Sequence, residues 1–130
     1  MFQLTKAVEY AVLLLISLSN NGQQPVSLSQ VAQQKNLPLK YLEKIAGQLR
    51  KKGILKSKEG ASGGYYLTKT EEEISLIDIV RAVEGKRGLV SCIHGQCQRE
   101  DFCFHKKIWL KLDAKLKKEM EKIKLTDLIF

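Results

Sequence analysis

The stretch from Ser27 to Thr68, SLSQVAQQKNLPLKYLEKIAGQLRKKGILKSKEGASGGYYLT, decides the fold. Ser27 followed by Gln30 has the spacing of a capping box, and Leu28, Val31 and Ala32 then line the inner side of a short helix. Asn36-Leu37-Pro38 breaks that helix. Pro38 fits the first turn of the next one, where its missing N–H costs little, and Leu39, Leu42, Ile45, Ala46 and Leu49 supply a buried stripe that runs to Lys52. Gly53 stands where a left-handed cap residue is expected. Ile54–Ser57 and Tyr65–Thr68 then read as two strands joined by a glycine-rich tip, Lys58-Glu59-Gly60-Ala61-Ser62-Gly63-Gly64.

Helix, short turn, helix and β-hairpin, in that order, make a winged helix-turn-helix. Upstream, Leu4, Val8, Ala11, Val12, Leu15 and Leu18 recur at helical spacing until Asn20-Asn21-Gly22 stops the run. Downstream, Ser75 with Asp78 caps a helix carrying Ile77, Ile79, Val80 and Val83, closed by Gly85. From Lys86 to Phe102 there is little periodicity. A long amphipathic helix follows, its apolar side stepping through Phe104, Ile108, Leu112, Leu116, Met120 and Ile123, with lysine on most of its other face. One narrow apolar stripe on a terminal helix needs a partner, and the simplest is its own symmetry mate. The expected fold is mainly α, a winged helix-turn-helix with a small hairpin wing and a long C-terminal dimerisation helix. Its expected divisions are a DNA-binding domain at 1–85, a cysteine-bearing loop at 86–103, and a dimerisation helix and tail at 104–130.

Twenty-two Lys and Arg against fourteen Asp and Glu leave a net charge of +8, which favours a polyanionic partner. Lys40, Lys44, Arg50, Lys51, Lys52, Lys56 and Lys58 crowd the second helix of the motif and the first strand. That second helix is the one that enters the major groove in a helix-turn-helix. Lysines and arginines at its rim would neutralise phosphates, while Lys40 and Glu43 near its start are placed for base edges, since Glu accepts from a cytosine amine. The predicted contacts with double-stranded DNA are Ser29, Gln30, Leu39, Lys40, Tyr41, Glu43, Lys44, Arg50 and Lys51 from the helices, and Lys58, Gly60, Ser62, Gly63 and Gly64 from the wing. Small residues at a wing tip permit close approach to a sugar-phosphate backbone. The competing reading is a solvated lysine face with glycines that merely close a hairpin.

Cys92, Cys97 and Cys103 are the three cysteines of the chain, and they lie within a dozen residues. Three suits a disulfide framework poorly, but three thiolates lack only one ligand of a tetrahedral or iron-sulfur site. Gly95 lets backbone wrap closely between the first two. Zinc and a metal-free thiol switch are the competing readings. No Cys-x-x-Cys or nucleophile-base pair supports an enzyme, no segment approaches a membrane-spanning length, and no small-molecule substrate is expected. Without a convincing secretory signal, a cytoplasmic location is expected, where thiols stay reduced.

Taken jointly, several motifs resemble the IscR-type winged-helix regulators, also called the Rrf-two family, over nearly the whole chain. They are Leu4-Thr5-Lys6 with Ala11, Leu28-Ser29-Gln30-Val31-Ala32, Tyr41-Leu42-Glu43, Leu49-Arg50-Lys51-Lys52-Gly53, Gly63-Gly64-Tyr65, and Ile79-Val80-Arg81-Ala82-Val83-Glu84-Gly85. The resemblance implies a homodimer, swapped about its long helix, that binds a palindromic operator with two recognition helices and two wings. It implies that Glu43 matches a residue of operator discrimination. It also implies a 2Fe-2S or 4Fe-4S cluster held by Cys92, Cys97 and Cys103, as in the cluster-binding members. Glu59 stands where a basic residue is found in one such member, so operator preference does not carry over.

The fourth ligand stays open. The family pattern puts a histidine three residues after the last cysteine, but here Lys106 holds that place and His105 comes one residue earlier. One residue on a helix turns a side chain by roughly 100°. Other members draw an acidic ligand from the first helix of the partner, which matches Glu9. His105 and Glu9 are the two candidates, with His94 a third. The gap between Cys92 and Cys97 is also one residue shorter than the family commonly has. Trp109, Phe102 and Phe104 would serve as interface core or as cover for the cluster.

Overall fold

Thr5 begins the first helix: its hydroxyl accepts from the Val8 amide, and α1 runs over Lys6–Ser19. Val8, Ala11, Leu14, Leu15 and Leu18 on its inner face are fully buried. The structure, a computed structural model, describes residues 4–85 and 106–129. Ser27 caps α2 (Leu28–Lys35) by accepting from the Gln30 amide, 3.2 Å away, which is one half of the expected capping box. Asn36 ends α2 in the left-handed conformation, a role its short polar side chain tolerates.

Pro38 sits one place earlier than expected, as the residue preceding α3 (Leu39–Lys51). Leu39 is therefore the first residue of that helix and is 37% exposed, so the predicted buried stripe loses its first member. Leu42, Ile45, Ala46 and Leu49 keep the stripe, each no more than 1% exposed. The wing is β1 (Leu55–Lys58) against β2 (Gly64–Leu67), antiparallel, with Leu55 opposite Leu67 and Lys58 opposite Gly64. Each strand lies one residue from its expected bounds, because Ile54 and Thr68 pair outside the ladder, Thr68 N–H donating to the Ile54 carbonyl.

Helix α4 (Leu76–Glu84) has the full capping box that Ser75 and Asp78 promise, the Ser75 hydroxyl and amide and the Asp78 amide and carboxylate satisfying one another. It packs against α1, α3 and α5. Helix α5 (Lys106–Lys122) is long, and Asp113 is the one residue of it that is buried, its carboxylate 2.7 Å from the Lys117 ammonium. A four-residue α6 (Leu125–Leu128) was not foreseen. The chain reaches it through a bridge between Ser75 and Lys124, with the Leu76 amide donating to Ile123 and the Leu125 amide to Ile74, both at 2.8 Å. Leu125 is thereby driven fully into the core beside α1. The end of the chain is thus a strap on the winged-helix core as well as the tail of a long helix.

Candidate functional site

Three surfaces expected to meet DNA are held by one core, since α2 and β1 both pack on α3. Ser29 and Gln30 are exposed in the first turn of α2, and Lys40, Glu43, Lys44, Arg50 and Lys51 are exposed along α3. The helix thus turns its buried stripe inward and offers cations on its outer side. Lys58, Gly60 and Ser62 are exposed on the wing. The correction at Leu39 leaves an apolar side chain uncovered at the leading end of α3, beside Lys40 and Glu43.

Two predicted contacts have structural duties of their own. Tyr41 is half-buried and meets Tyr10 of α1 edge to face, with centroids 5.4 Å apart and rings at 82°. That geometry sets the positive edge of one ring against the negative face of the other. Gly63 and Gly64 are also half-buried, and a Cβ at Gly63 would run into the Lys58 carbonyl, while one at Gly64 would run into the Val26 carbonyl. Val26 and Tyr65 exchange two backbone hydrogen bonds of 2.9 Å there, tying the wing to the segment before α2. The hairpin itself therefore requires these two glycines, before any ligand approaches. Only Gly60, at φ +112° with open space around it, keeps small size and positive φ as its whole reason.

Sequence reading missed a link between recognition helix and wing: Arg50 Nη1 donates to Ser57 Oγ at 3.5 Å, a long and weak contact. It also missed the tie across the start of the cysteine segment. The Thr5 hydroxyl donates to the Glu84 carboxylate, joining the N-terminus of α1 to the last residue of α4. Thr5 was legible as a cap, but its second partner lies 79 residues away and no local pattern announces it.

Cys92, Cys97, Cys103, His94, His105, Phe102 and Phe104 lie outside the described residues. Of the candidate ligands, Glu9 alone is described. It is half-exposed on the first turn of α1, 3.7 Å from the Lys6 ammonium, a surface ion pair of little energetic weight. Its carboxylate is accessible, in a recess also lined by Leu4, Thr5 and Lys6. Among the described residues no three His, Cys, Asp or Glu gather as a metal site. The donor chemistry of three thiolates nevertheless suits iron-sulfur clusters or zinc, and an accessible carboxylate suits iron as a harder fourth ligand. Trp109 is half-buried within its own chain. No helix among the described residues is long and apolar enough to cross a membrane.

The chain matches the family model described as Rrf2, iron-dependent transcriptional regulator, over residues 4–130. It is 33% identical over 130 residues to protein rrf2 of Nitratidesulfovibrio vulgaris, covering 98% of this chain and 87% of that one. It is 30% identical over 129 residues to the HTH-type transcriptional regulator IscR of Klebsiella pneumoniae, covering 98% and 79%. Among solved structures, CymR, the global cysteine regulator of B. subtilis, superposes with a TM-score of 0.77 at 30% identity, covering 98% of this chain and 96% of that one.

Proposed function

We propose, from the premise that this chain belongs to the Rrf2 family of DNA-binding transcriptional regulators, that it is a homodimeric, iron-sulfur cluster-sensing repressor acting on a palindromic operator in the cytoplasm. It is a regulator and not an enzyme. The observation that carries the sensing part is the cysteine triplet, set between Glu84, which ends α4, and Lys106, which begins α5. A cluster held by Cys92, Cys97 and Cys103, with Glu9 of a partner or His105 as fourth ligand, would supply a group that responds to iron supply and oxidants.

The residues around that segment give the change somewhere to go. Glu84 is anchored to the α1 cap through Thr5, and Tyr10 one turn later abuts Tyr41 of the recognition helix. At the other end the segment runs into α5, whose Ile108, Leu112 and Leu116 are 64%, 42% and 39% exposed. Their exposure supports pairing of two α5 helices, because a contiguous apolar stripe in water favours burial against a second copy. Altered spacing of two recognition helices then changes operator affinity, a coupling between two sites through one interface. The proposed organisation keeps residues 1–85 for DNA, 86–103 for sensing and 104–130 for dimerisation, with α6 strapped back to the first of these.

Protein purified without oxygen should contain iron and acid-labile sulfide and absorb visible light, and Cys92→Ser, Cys97→Ser and Cys103→Ser should each remove both. Zinc in place of iron would select a second reading, a structural metal. No metal with a reversible thiol oxidation would select a third, a thiol switch. Identity to CymR equals that to IscR, so metal content and not likeness decides among the three readings.

A further inference from the structure

The charge of this protein is concentrated in two places, and the recognition helix with the first strand is one of them: residues 40–58 hold seven Lys and Arg against Glu43. Residues 106–130 hold eight lysines against four acidic residues, so one fifth of the chain carries half of the net charge of +8. Residues 1–85, with the recognition helix and wing, hold eleven Lys and Arg against eight acidic residues. At 100° per residue, Lys107, Lys111, Lys115, Lys118 and Lys122 fall within an arc of about 80° and form a row about 22 Å long. All five are exposed. Among the described residues Lys122 is paired with Glu119 at 2.9 Å, and no ion pair involves Lys107, Lys111, Lys115 or Lys118.

Lysines four apart on one helix face repel one another, and an ordinary solvated face relieves this by interleaving acids. Here the acids stand only at the two borders, Glu119 and Glu121 each about 40° beyond the row. The row is also kept clear of the other surfaces of α5. Asp113, buried toward the core, and Trp109 lie roughly on the opposite side of the helix, and the exposed stripe Ile108, Leu112 and Leu116 lies in the arc between. A second copy covering that stripe would leave the lysines in water.

We propose that this row is a second, sequence-independent binding surface for the phosphate backbone of double-stranded DNA, separate from the recognition helix and wing. Its cations stand about 4.5 to 6 Å apart along a straight line, so successive ammonium groups can each neutralise a phosphate of one strand or of neighbouring strands. Such a surface would hold flanking DNA, or a second duplex, without reading its sequence. The family's DNA-binding character favours a duplex over other polyanions.

The test is the salt dependence of binding to a random-sequence DNA duplex by the full chain. Replacing Lys107, Lys111, Lys115 and Lys118 by Gln together should lower the slope of log affinity against log salt by about 2 to 4, as expected when that many phosphate contacts are lost. Replacing the same four by Arg should keep the wild-type slope, which separates charge from any damage to the helix. Lys40→Gln/Lys44→Gln/Lys51→Gln should lower the slope too, yet leave binding that the α5 variant lacks. An unchanged slope in the Gln variant of α5 overturns the proposal. So does a variant that loses only its binding to phosphatidylserine vesicles while its duplex affinity stays at wild type. An α3 variant that binds like wild type would instead defeat the recognition-helix reading and leave the α5 surface standing.

Discussion

Helices α3 and α5 carry apolar stripes of similar period, and the fold treats them in opposite ways. In α3, Leu42, Ile45, Ala46 and Leu49 are almost completely buried by α1, α2 and α4 of the same chain. In α5, Ile108, Leu112 and Leu116 stay exposed, and the buried position belongs to Asp113 with its lysine partner. Periodicity tells where a helix is apolar but not who covers it. The first stripe joins the helix proposed to read DNA to the core of its own chain, and the second is the one proposed to pair two copies. That division would suit the proposed dimer, in which each reading head is stiff and the spacing between the two is adjustable.

The sharpest way to break this contrast is to truncate both stripes. Ile45→Ala should cost about 2 to 5 kcal/mol in urea unfolding, the usual range for emptying a filled core site. Leu112→Ala should cost far less per folded chain at concentrations where association is absent. Equal losses would mean that α5 is as deeply packed in its own chain as α3 is. Next in size, Leu112→Glu with Leu116→Glu should convert an assembled protein to monomer in sedimentation, with helical circular dichroism retained. Persistence of the dimer would move the interface elsewhere.

A smaller effect separates the wing's internal needs from its DNA contacts. Gly64→Ala should lower stability by about 1 to 3 kcal/mol with no DNA present, since the new methyl meets the Val26 carbonyl and forces the bridge to Tyr65 apart. Gly60→Ala, in open space, meets no such carbonyl and should cost less, its burden being φ alone. The smallest effect concerns Glu73. Hydrogen bonds from the Thr70 amide and hydroxyl hold its carboxyl below the ordinary range. A carboxyl with a depressed folded pKa contributes stability above its unfolded value, and that contribution fades as pH falls through the folded value. Glu73→Gln should therefore remove a small contribution at neutral pH and slightly flatten the acid side of the stability profile below about pH 4.5, where the variant and the parent converge.

Much of the fold was legible because its signals are local. The cap at Ser27, the box between Ser75 and Asp78, the stripe of α3 and the order of helices and hairpin all sit within a few residues of what they determine. Leu39 escaped because its burial depends on whether Pro38 precedes the helix or begins it, a difference of one residue. Strap α6 escaped because Leu125, Leu128 and Ile129 repeat over barely one turn; its place comes from the pairing of its approach with Ile74 and Leu76, some fifty residues earlier. Tyr41 and Gly64 were read as facing a ligand, yet Tyr10 and Val26 give each an internal neighbour that no spacing rule reveals. Of the candidate DNA residues on α3, Leu39, Lys40, Glu43, Lys44, Arg50 and Lys51 are exposed and Tyr41 is half-buried. The three cysteines stand out by residue type and spacing, whereas Glu9 came only from the family resemblance, and of these candidate ligands the structure describes Glu9.

The most direct measurement is the affinity of one promoter duplex for the protein purified without oxygen, before and after its metal is removed. A sensing regulator of the kind proposed should change affinity by about tenfold or more, within the range of known coupling energies, with Cys97→Ser locked at the metal-free value. Equal affinities in both states, with iron present and then gone, would contradict it and leave a DNA-binding regulator whose cysteines serve another purpose.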